Sequence, residues 1–365
     1  MGGIVTKIYP VIMSGGAGTR LWPVSRKKTP KQYHAMVADN TMFAETLLRM
    51  RDSGPNDVAA PIIICANGHQ DLIQAQAAQL DIDLSAIILE PMGRNTAAVG
   101  AIAAEFVHRI DPEGLILLLP ADHHIEQPGA FWHAIEKAVP VATSGYLMTL
   151  GIEPTGPDTG FGYIHRGEKI TEDVYKIHEF KEKPDEATAK SYLKTGKYSW
   201  NAGIFLFDVK RLMKDYNEHA DDIFKDSIKA LDQAEKTGIC YLLNQQYFEQ
   251  VRSEPIDIAI MEKTAYAAVV APVRVGWNDI GSWAAIHDFA ISRSSESCAS
   301  VGDVQMLGAD NCYVRSDGPF VAAIGVKDLI VVAMDDAVLV THKNTTQDVK
   351  KIVTDLKEKA RKDWL

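Results

Sequence analysis

Short, continuously apolar runs alternate with longer helical patterns through the first half of the chain. KIYPVIM (Lys7 to Met13), PIIIC (Pro61 to Cys65), AIILE (Ala86 to Glu90) and GLILLLP (Gly114 to Pro120) read as strands buried on both faces. Between and after them, GHQDLIQAQAAQL, NTAAVGAIAAEFVHRI and GAFWHAIEKAVPVAT are each long enough for a helix. Strand–helix alternation of this kind predicts a doubly wound α/β sheet, with ligands beyond the carboxyl ends of its strands. The middle is more mixed: DVYKIHEF and GIFLFDV predict strands, and Val209 to Thr237 reads as mostly helical.

From about Val301 the pattern changes to short β-rich pieces separated by turn residues, with no long helix between them. This is a small β-rich appendage of about two solenoid coils, too short for a second enzyme. A terminal helix is expected from Thr345, where Val349, Ile352, Val353 and Leu356 share one face. Lys350, Lys351, Lys357 and Lys359 alternate with Asp348, Asp355 and Glu358, so they form a solvated face and not a binding patch. The division drawn is 1–290 for a catalytic domain and 291–365 for the appendage.

Composition narrows the possibilities. The chain of 365 residues carries a net charge of −10, which argues against a general nucleic-acid binder with its broad basic footprint. Cys65, Cys240, Cys298 and Cys312 are widely spaced without a CxxC pair, as expected of reduced thiols in the cytoplasm and not of a zinc site. Met1 to Lys7 is too short and too polar for a signal peptide, and no apolar run reaches membrane-spanning length. The expectation is a cytoplasmic protein with neither nucleic acid nor membrane among its partners.

Against that acidic background, VIMSGGAGTRLWPVSRKKTPKQ (Val11 to Gln32) gathers glycines and cations directly after a predicted strand. Gly15, Gly16 and Gly18 let backbone N–H groups approach a ligand. GAGTRL lacks the last glycine of the dinucleotide fingerprint, and no GK[ST] closes a phosphate loop. Arg20 offers a fixed fork of donors and Lys31 a mobile point charge, a pair suited to a triphosphate and its pyrophosphate leaving group. Arg26, Lys27 and Lys28 are expected to face solvent, with at most one joining the site.

The segment from Gly15 to Gln32 resembles the signature of the sugar nucleotidyltransferases, and most of all its mannose-1-phosphate guanylyltransferase version. The match runs through Gly15, Gly16, Gly18, Thr19, Arg20, Leu21, Trp22, Pro23, Ser25, Arg26, Pro30, Lys31 and Gln32. The resemblance implies a Rossmann-like, glycosyltransferase-A-like mixed sheet followed by a partial left-handed β-helix. It also implies that the glycines and Thr19 hold the triphosphate while Arg20 and Lys31 stabilise the reacting phosphates. EPMGRNTAAV follows a strand and resembles the family segment beside the purine, departing from it at Ala98 and Val99. Glu90, Gly93, Asn95 and Thr96 are thereby assigned to base or ribose surroundings, with the helix opening at Asn95 or Thr96. Helix capping, which Asn and Thr do well, is compatible with that role.

LLLPADHHI and VGWNDIGSW resemble two further family motifs and make Asp122 and Asp279 the candidate Mg2+ ligands, with Asp122 also near the nucleotide. Adjacent His123 and His124 point to opposite faces of an extended segment and so do not jointly bind one ion. One of them is expected to line the site and the other to be structural. TGFGYIHRG, FKEKPD and WNAGIFLF resemble the sugar-phosphate side, which gives Gly162 and Tyr163 at the sugar, Glu182 accepting from its hydroxyls, Lys183 at its phosphate, and Asn201 as a further contact. PIDIAIMEK (Pro255 to Lys263) also resembles the family and is read as packing under the metal loop.

The resemblance covers Lys7 to Trp283 and implies an in-line attack of mannose 1-phosphate on GTP, giving GDP-mannose and pyrophosphate. Members of the family often carry a fused isomerase domain, and the roughly 60 residues after Val301 are too few for one, so no isomerase activity is expected. Two alternatives stand beside this expectation. One is transfer from ATP or TTP to glucose 1-phosphate. The other is a non-catalytic sensor of nucleotide sugars, which would tend to lose an acidic or basic residue that this chain retains. Open edges in the β-rich tail predict a homodimer.

Overall fold

The computed structural model describes residues 6–16, 18–55 and 57–365. Ala17 of the glycine loop, Asn56, and most of the N-terminal stretch read for a signal peptide lie outside the described residues. The four apolar runs form β1 (Ile8–Ser14), β2 (Ile62–Ala66), β3 (Ala86–Glu90) and β4 (Leu115–Pro120). Three of the expected helices are α2 (Gln70–Gln79), α3 (Asn95–Ile110) and α4 (Pro128–Thr143), preceded by α1 (Met42–Ser53). The described residues cluster into two compact units that do not follow chain order.

The first unit takes the described residues up to Gly15, then Thr46–Ala121 and Ile125–Trp277. Its centre is an eleven-stranded sheet in the order Glu235–Thr237, Cys240–Leu242, β3, β2, β1, β4, Tyr198–Asp208, Leu147–Ile152, Ala267–Val273, Val174–Lys181, Tyr163–Thr171. β1 runs parallel to both β2 and β4, and β2 parallel to β3, so their carboxyl ends lie on one side. Tyr198–Asp208 then runs antiparallel to β4, which makes the sheet mixed. The doubly wound, Rossmann-like expectation is met.

α3 explains how this sheet is covered. Ala97, Ala98, Ala101, Ala103 and Ala104 are all buried, and a helix apolar on nearly every side belongs inside a layer. It packs with Val209–His219 and Asp221–Asp232, which supply Leu212, Tyr216, Ile223 and Phe224 to the same core. Asp208 caps the first of these helices by accepting from the Arg211 N–H at 2.8 Å. The helical reading of Val209 to Thr237 fails at its end. There Gly238, at φ +60°, turns the chain into a hairpin of Glu235–Thr237 with Cys240–Leu242, which extends the sheet beside β3.

The second unit comprises Gly16–Glu45, Asp122–His124 and Asn278–Leu365. Its last part is β-helix-like, as expected. Ala299–Val301, Tyr313–Ser316 and Leu329–Ala333 stack in parallel, and Val304–Leu307 pairs in parallel with Val321–Ile324. An antiparallel strand, Val338–His342, closes the stack. The terminal α-helix is Val349–Glu358, and the turn before it, Lys343–Asp348, is 3₁₀. Val349 and Val353 are buried, whereas Ile352 is 48 % exposed because it falls at the margin of a narrow apolar stripe.

The signature segment is part of this unit's core. Leu21, Trp22 and Val24 pack with Trp283, Ile330, Val332, Leu339, Val349 and Val353. The Trp22 indole donates to the Trp364 carbonyl at 2.7 Å, and the Trp283 indole donates to the Trp22 carbonyl at 2.9 Å. Arg26, expected in solvent, forms a two-pronged pair with Asp336, each contact 2.6 Å, and donates to the Pro23 carbonyl. Long-range apolar and ionic contacts within the unit account for that difference, since local sequence carries no sign of Asp336. No helix among the described residues is long and apolar enough to cross a membrane.

Candidate active site

Lys31 is the best-defined functional side chain of the second unit. It follows Pro30 at the start of a 3₁₀ turn (Lys31–Tyr33) and is only 8 % exposed. Its Nζ lies 2.9 Å from Asp122 Oδ2 and donates to the Asp279 carbonyl at 2.8 Å. The Ile280 carbonyl, at 3.5 Å, stands at the edge of bonding range. Burial raises the Asp122 carboxyl, but the Lys31 ammonium and then His123 outweigh it and hold the group below the usual carboxylate range. Gly18 makes the arrangement possible. At φ +53° it occupies the left-handed region, and a Cβ there would sit 2.8 Å from Ser25 Oγ and 3.0 Å from Lys31 Cβ.

Around this lysine the other sequence-predicted residues fall as follows. Gly16 also has positive φ, at +86°, and Gly18 and Thr19 lead into the 3₁₀ turn Thr19–Leu21. Arg20 is exposed, and its guanidinium donates to Gln347 Oε1 at 3.3 Å. Asp279 turns its carboxylate back on its own loop, where Oδ1 accepts from the Gly281 N–H at 3.2 Å. His123 Nε2 faces Asp122 at 4.0 Å, while His124 packs edge-on against Phe289 at 4.9 Å. His123 is therefore the histidine beside the acidic candidate, and His124 is structural. Among the described residues no group of three or more His, Cys, Asp or Glu is placed to hold a metal ion.

The first unit holds Gly15 and the residues assigned to base and sugar. Glu90 ends β3 with its side chain buried, and its Oε1 has no hydrogen-bond partner. Burial pushes this carboxyl up to about 8. Gly93 lies in the following turn, and α3 opens at Asn95, which adopts φ +66°. The Asn95 side chain accepts from the Thr96 N–H at 2.9 Å, and the Thr96 hydroxyl accepts from the Ile256 N–H at 2.9 Å. The Ala97 N–H donates to the Glu254 carbonyl at 3.1 Å. Part of the helix start is thus tied to residues 254–256.

Gly162, Glu182, Lys183 and Asn201 are brought together in the same unit. A Cβ on Gly162 would stand 2.8 Å from Glu182 Oε2, and the Gly162 carbonyl accepts from the Asn201 N–H at 2.8 Å. Lys183 has φ +43° and reaches Glu182 Oε1 at 2.8 Å. Tyr163 is fully buried and donates its hydroxyl to the Asp158 carbonyl at 2.9 Å, which leaves only its backbone for a ligand.

Sequence reasoning missed Asp257. The PIDIAIMEK string is not simply packing: Asp257 opens a π-helical turn (Asp257–Met261) and accepts from Asn201 Nδ2 at 2.8 Å. The one available signal was a single acid among isoleucines, which a core helix edge also explains. π-Turns of this kind gather at functional sites.

Residues 9–295 match the family model described as nucleotidyl transferase, and residues 302–356 match that of the MannoseP isomerase/GMP-like beta-helix domain. The chain belongs to the nucleotidyl transferase family, in the class of sugar nucleotidyltransferases that carry a β-helix-like tail. The alginate biosynthesis protein AlgA of Pseudomonas aeruginosa is 39% identical over 358 residues, 98% of this chain and 73% of its own length. A mannose-1-phosphate guanylyltransferase of Escherichia coli is 40% identical over 360 residues, 98% of this chain and 75% of its own. A crystal structure from Thermus thermophilus, described as a mannose-1-phosphate geranyltransferase, superposes with a TM-score of 0.83 at 28% identity, covering 96% of this chain and all of that one.

Proposed function

We propose that the chain transfers a guanylyl group from GTP to α-D-mannose 1-phosphate, giving GDP-mannose and pyrophosphate. The observation that carries the reading is the Lys31 ammonium, which engages the Asp122 carboxylate and the Asp279 loop together. An ammonium has three donors, and the third, which only the Ile280 carbonyl approaches at 3.5 Å, is the one that can turn to a phosphate oxygen. A sensor without catalysis would have no need to keep a buried cation on two acidic loops.

The nucleophile is a phosphate oxygen that is already anionic, so no general base is required. The barrier is repulsion between two polyanions, and positioning with charge stabilisation lowers it. In this reading Gly15, Gly16, Gly18 and Thr19 turn backbone donors to the triphosphate. Arg20 exchanges Gln347 for the departing pyrophosphate, with Lys31 beside it. Glu90, once ionised, offers two acceptors to the N1–H and N2–H donors of guanine, a match that adenine lacks. Glu182 and Asn201 take the sugar hydroxyls, and Lys183 meets the sugar phosphate.

Mg2+ suits the donor set of the acidic loops, because two carboxylates plus phosphate oxygens satisfy a small hard cation. Asp122 and Asp279 would hold it, and bound there it would neutralise charge on the phosphates. A panel of four nucleoside triphosphates against mannose and glucose 1-phosphates, read by pyrophosphate release, tests the reading. GTP with mannose 1-phosphate is expected to turn over at least about tenfold faster than any other pair, since one well-placed polar contact discriminates by that much or more. A preference for ATP or TTP with glucose 1-phosphate overturns it.

A homodimer is part of the proposal. Leu307 and Ile324 are 67% and 69% exposed, and they sit side by side in the parallel pair of the tail. An exposed apolar pair on a two-stranded edge favours pairing with a second copy. Sedimentation velocity is expected to give a dimer for the wild type and a monomer for Leu307→Glu/Ile324→Glu; a monomeric wild type refutes it.

A further inference from the structure

We propose that Asp257 is a positioning residue of the sugar 1-phosphate site, acting through the side-chain amide of Asn201. The inference rests on the sugar-contact reading of Glu182 and Asn201. Asn201 is held on both ends of its amide. Oδ1 receives the Gly203 N–H at 3.2 Å, with the Thr149 hydroxyl, which also reaches the Ile204 carbonyl at 3.0 Å, 3.2 Å away, and Nδ2 donates one hydrogen to Asp257 Oδ1 at 2.8 Å. Held in this orientation, the amide has one N–H left, and that donor is the one it can offer to a hydroxyl. A charge-assisted acceptor is the stronger anchor for such an amide, and a neutral side chain of similar shape is the weaker one.

Two further features set Asp257 apart from an ordinary core acid. It opens a π-helical turn whose last three residues, Ala259, Ile260 and Met261, are buried. That turn is fixed upstream by the Thr96 hydroxyl on the Ile256 N–H, so the carboxyl is presented from a rigid segment. Its carboxyl is also pushed up to about 6, by burial first and then by the negative charge of Glu182. Glu182, the second contributor to that shift, is the proposed hydroxyl acceptor.

The test uses the full chain, with GTP saturating and mannose 1-phosphate varied, in Asp257→Ala, Asp257→Asn, Asn201→Ala, Asn201→Ala/Asp257→Ala and Glu182→Ala. Asp257→Ala is expected to raise KM for mannose 1-phosphate about tenfold, the effect of one lost buried hydrogen bond, while kcat and the KM for GTP stay within about twofold. Asp257→Asn, which keeps an oxygen acceptor and fits the same space, is expected to restore KM to within about threefold of wild type. The double variant should be no worse than Asn201→Ala, because both changes interrupt one path. Multiplicative effects in the double variant, or equal damage from Asp257→Asn and Asp257→Ala, overturn the inference. If Glu182→Ala raises the sugar KM and Asp257→Ala does not, the inference alone fails; if neither does, the sugar-site reading fails with it.

Discussion

Replacing Lys31 with alanine is expected to lower turnover about a thousandfold, the upper range for losing one preorganised donor at a site of developing charge. The lysine is buried, its stem lies against Gly18, and its head group touches Asp122 Oδ2 and the Asp279 carbonyl. Lys31→Arg is not expected to rescue, because a planar guanidinium is wider than an ammonium and cannot act as a compact point charge. Removing the lysine also strips Asp122 of its partner, so thermal stability falls, and circular dichroism must first establish that the variant is folded at the assay temperature. Asp279→Ala separates the two roles. Lys31 bonds the backbone carbonyl of Asp279 and not its carboxylate, so that variant keeps the lysine anchored while removing one proposed Mg2+ ligand. Pyrophosphate release within about tenfold of wild type in a folded Lys31→Ala or Asp279→Ala protein refutes the assignment of that residue.

Much of the fold is legible because its signals are local. Continuous apolar runs in β1 to β4 can only be covered on both faces, and the alanine-rich α3 can only lie inside a layer. The glycine loop is legible for the same reason, since Gly18 serves a backbone geometry that other residues resist. What is not legible depends on partners distant in the chain. Arg26 looks like one of three surface cations until Asp336 arrives beside it. Asp257 looks like part of a packing segment until Asn201 meets it at the start of a π-helical turn. The hairpin after Asp232 is hidden by good helix formers, and Gly238 is the residue that breaks the pattern.

On the proposed reading, Glu90→Gln is expected to raise the KM for GTP about a hundredfold, because a site offering two acceptors to N–H donors would then present one acceptor and one donor. The same substitution changes how the protein responds to pH. Glu90 is buried with an unpartnered oxygen, and its carboxyl is pushed up to about 8 by that burial. In the unfolded chain the group ionises near 4.5, so between those two values the native state holds a proton that the unfolded state has released. Stability contributed by the neutral form is therefore complete below about 4.5, is lost as pH rises toward 8, and changes no further above that. Unfolding free energies of the wild type should decline across this window, and those of Glu90→Gln should decline less, by an amount on the order of a few kcal/mol at pH 9, with thermal midpoints following in the same direction. If Glu90 receives guanine, it does so in its ionised form, so GTP affinity in the wild type should climb between pH 6 and pH 8 while Glu90→Gln stays flat. Wild-type affinity that is flat over the same range, measured by titration calorimetry with the same Mg2+ concentration throughout, removes Glu90 from the base site.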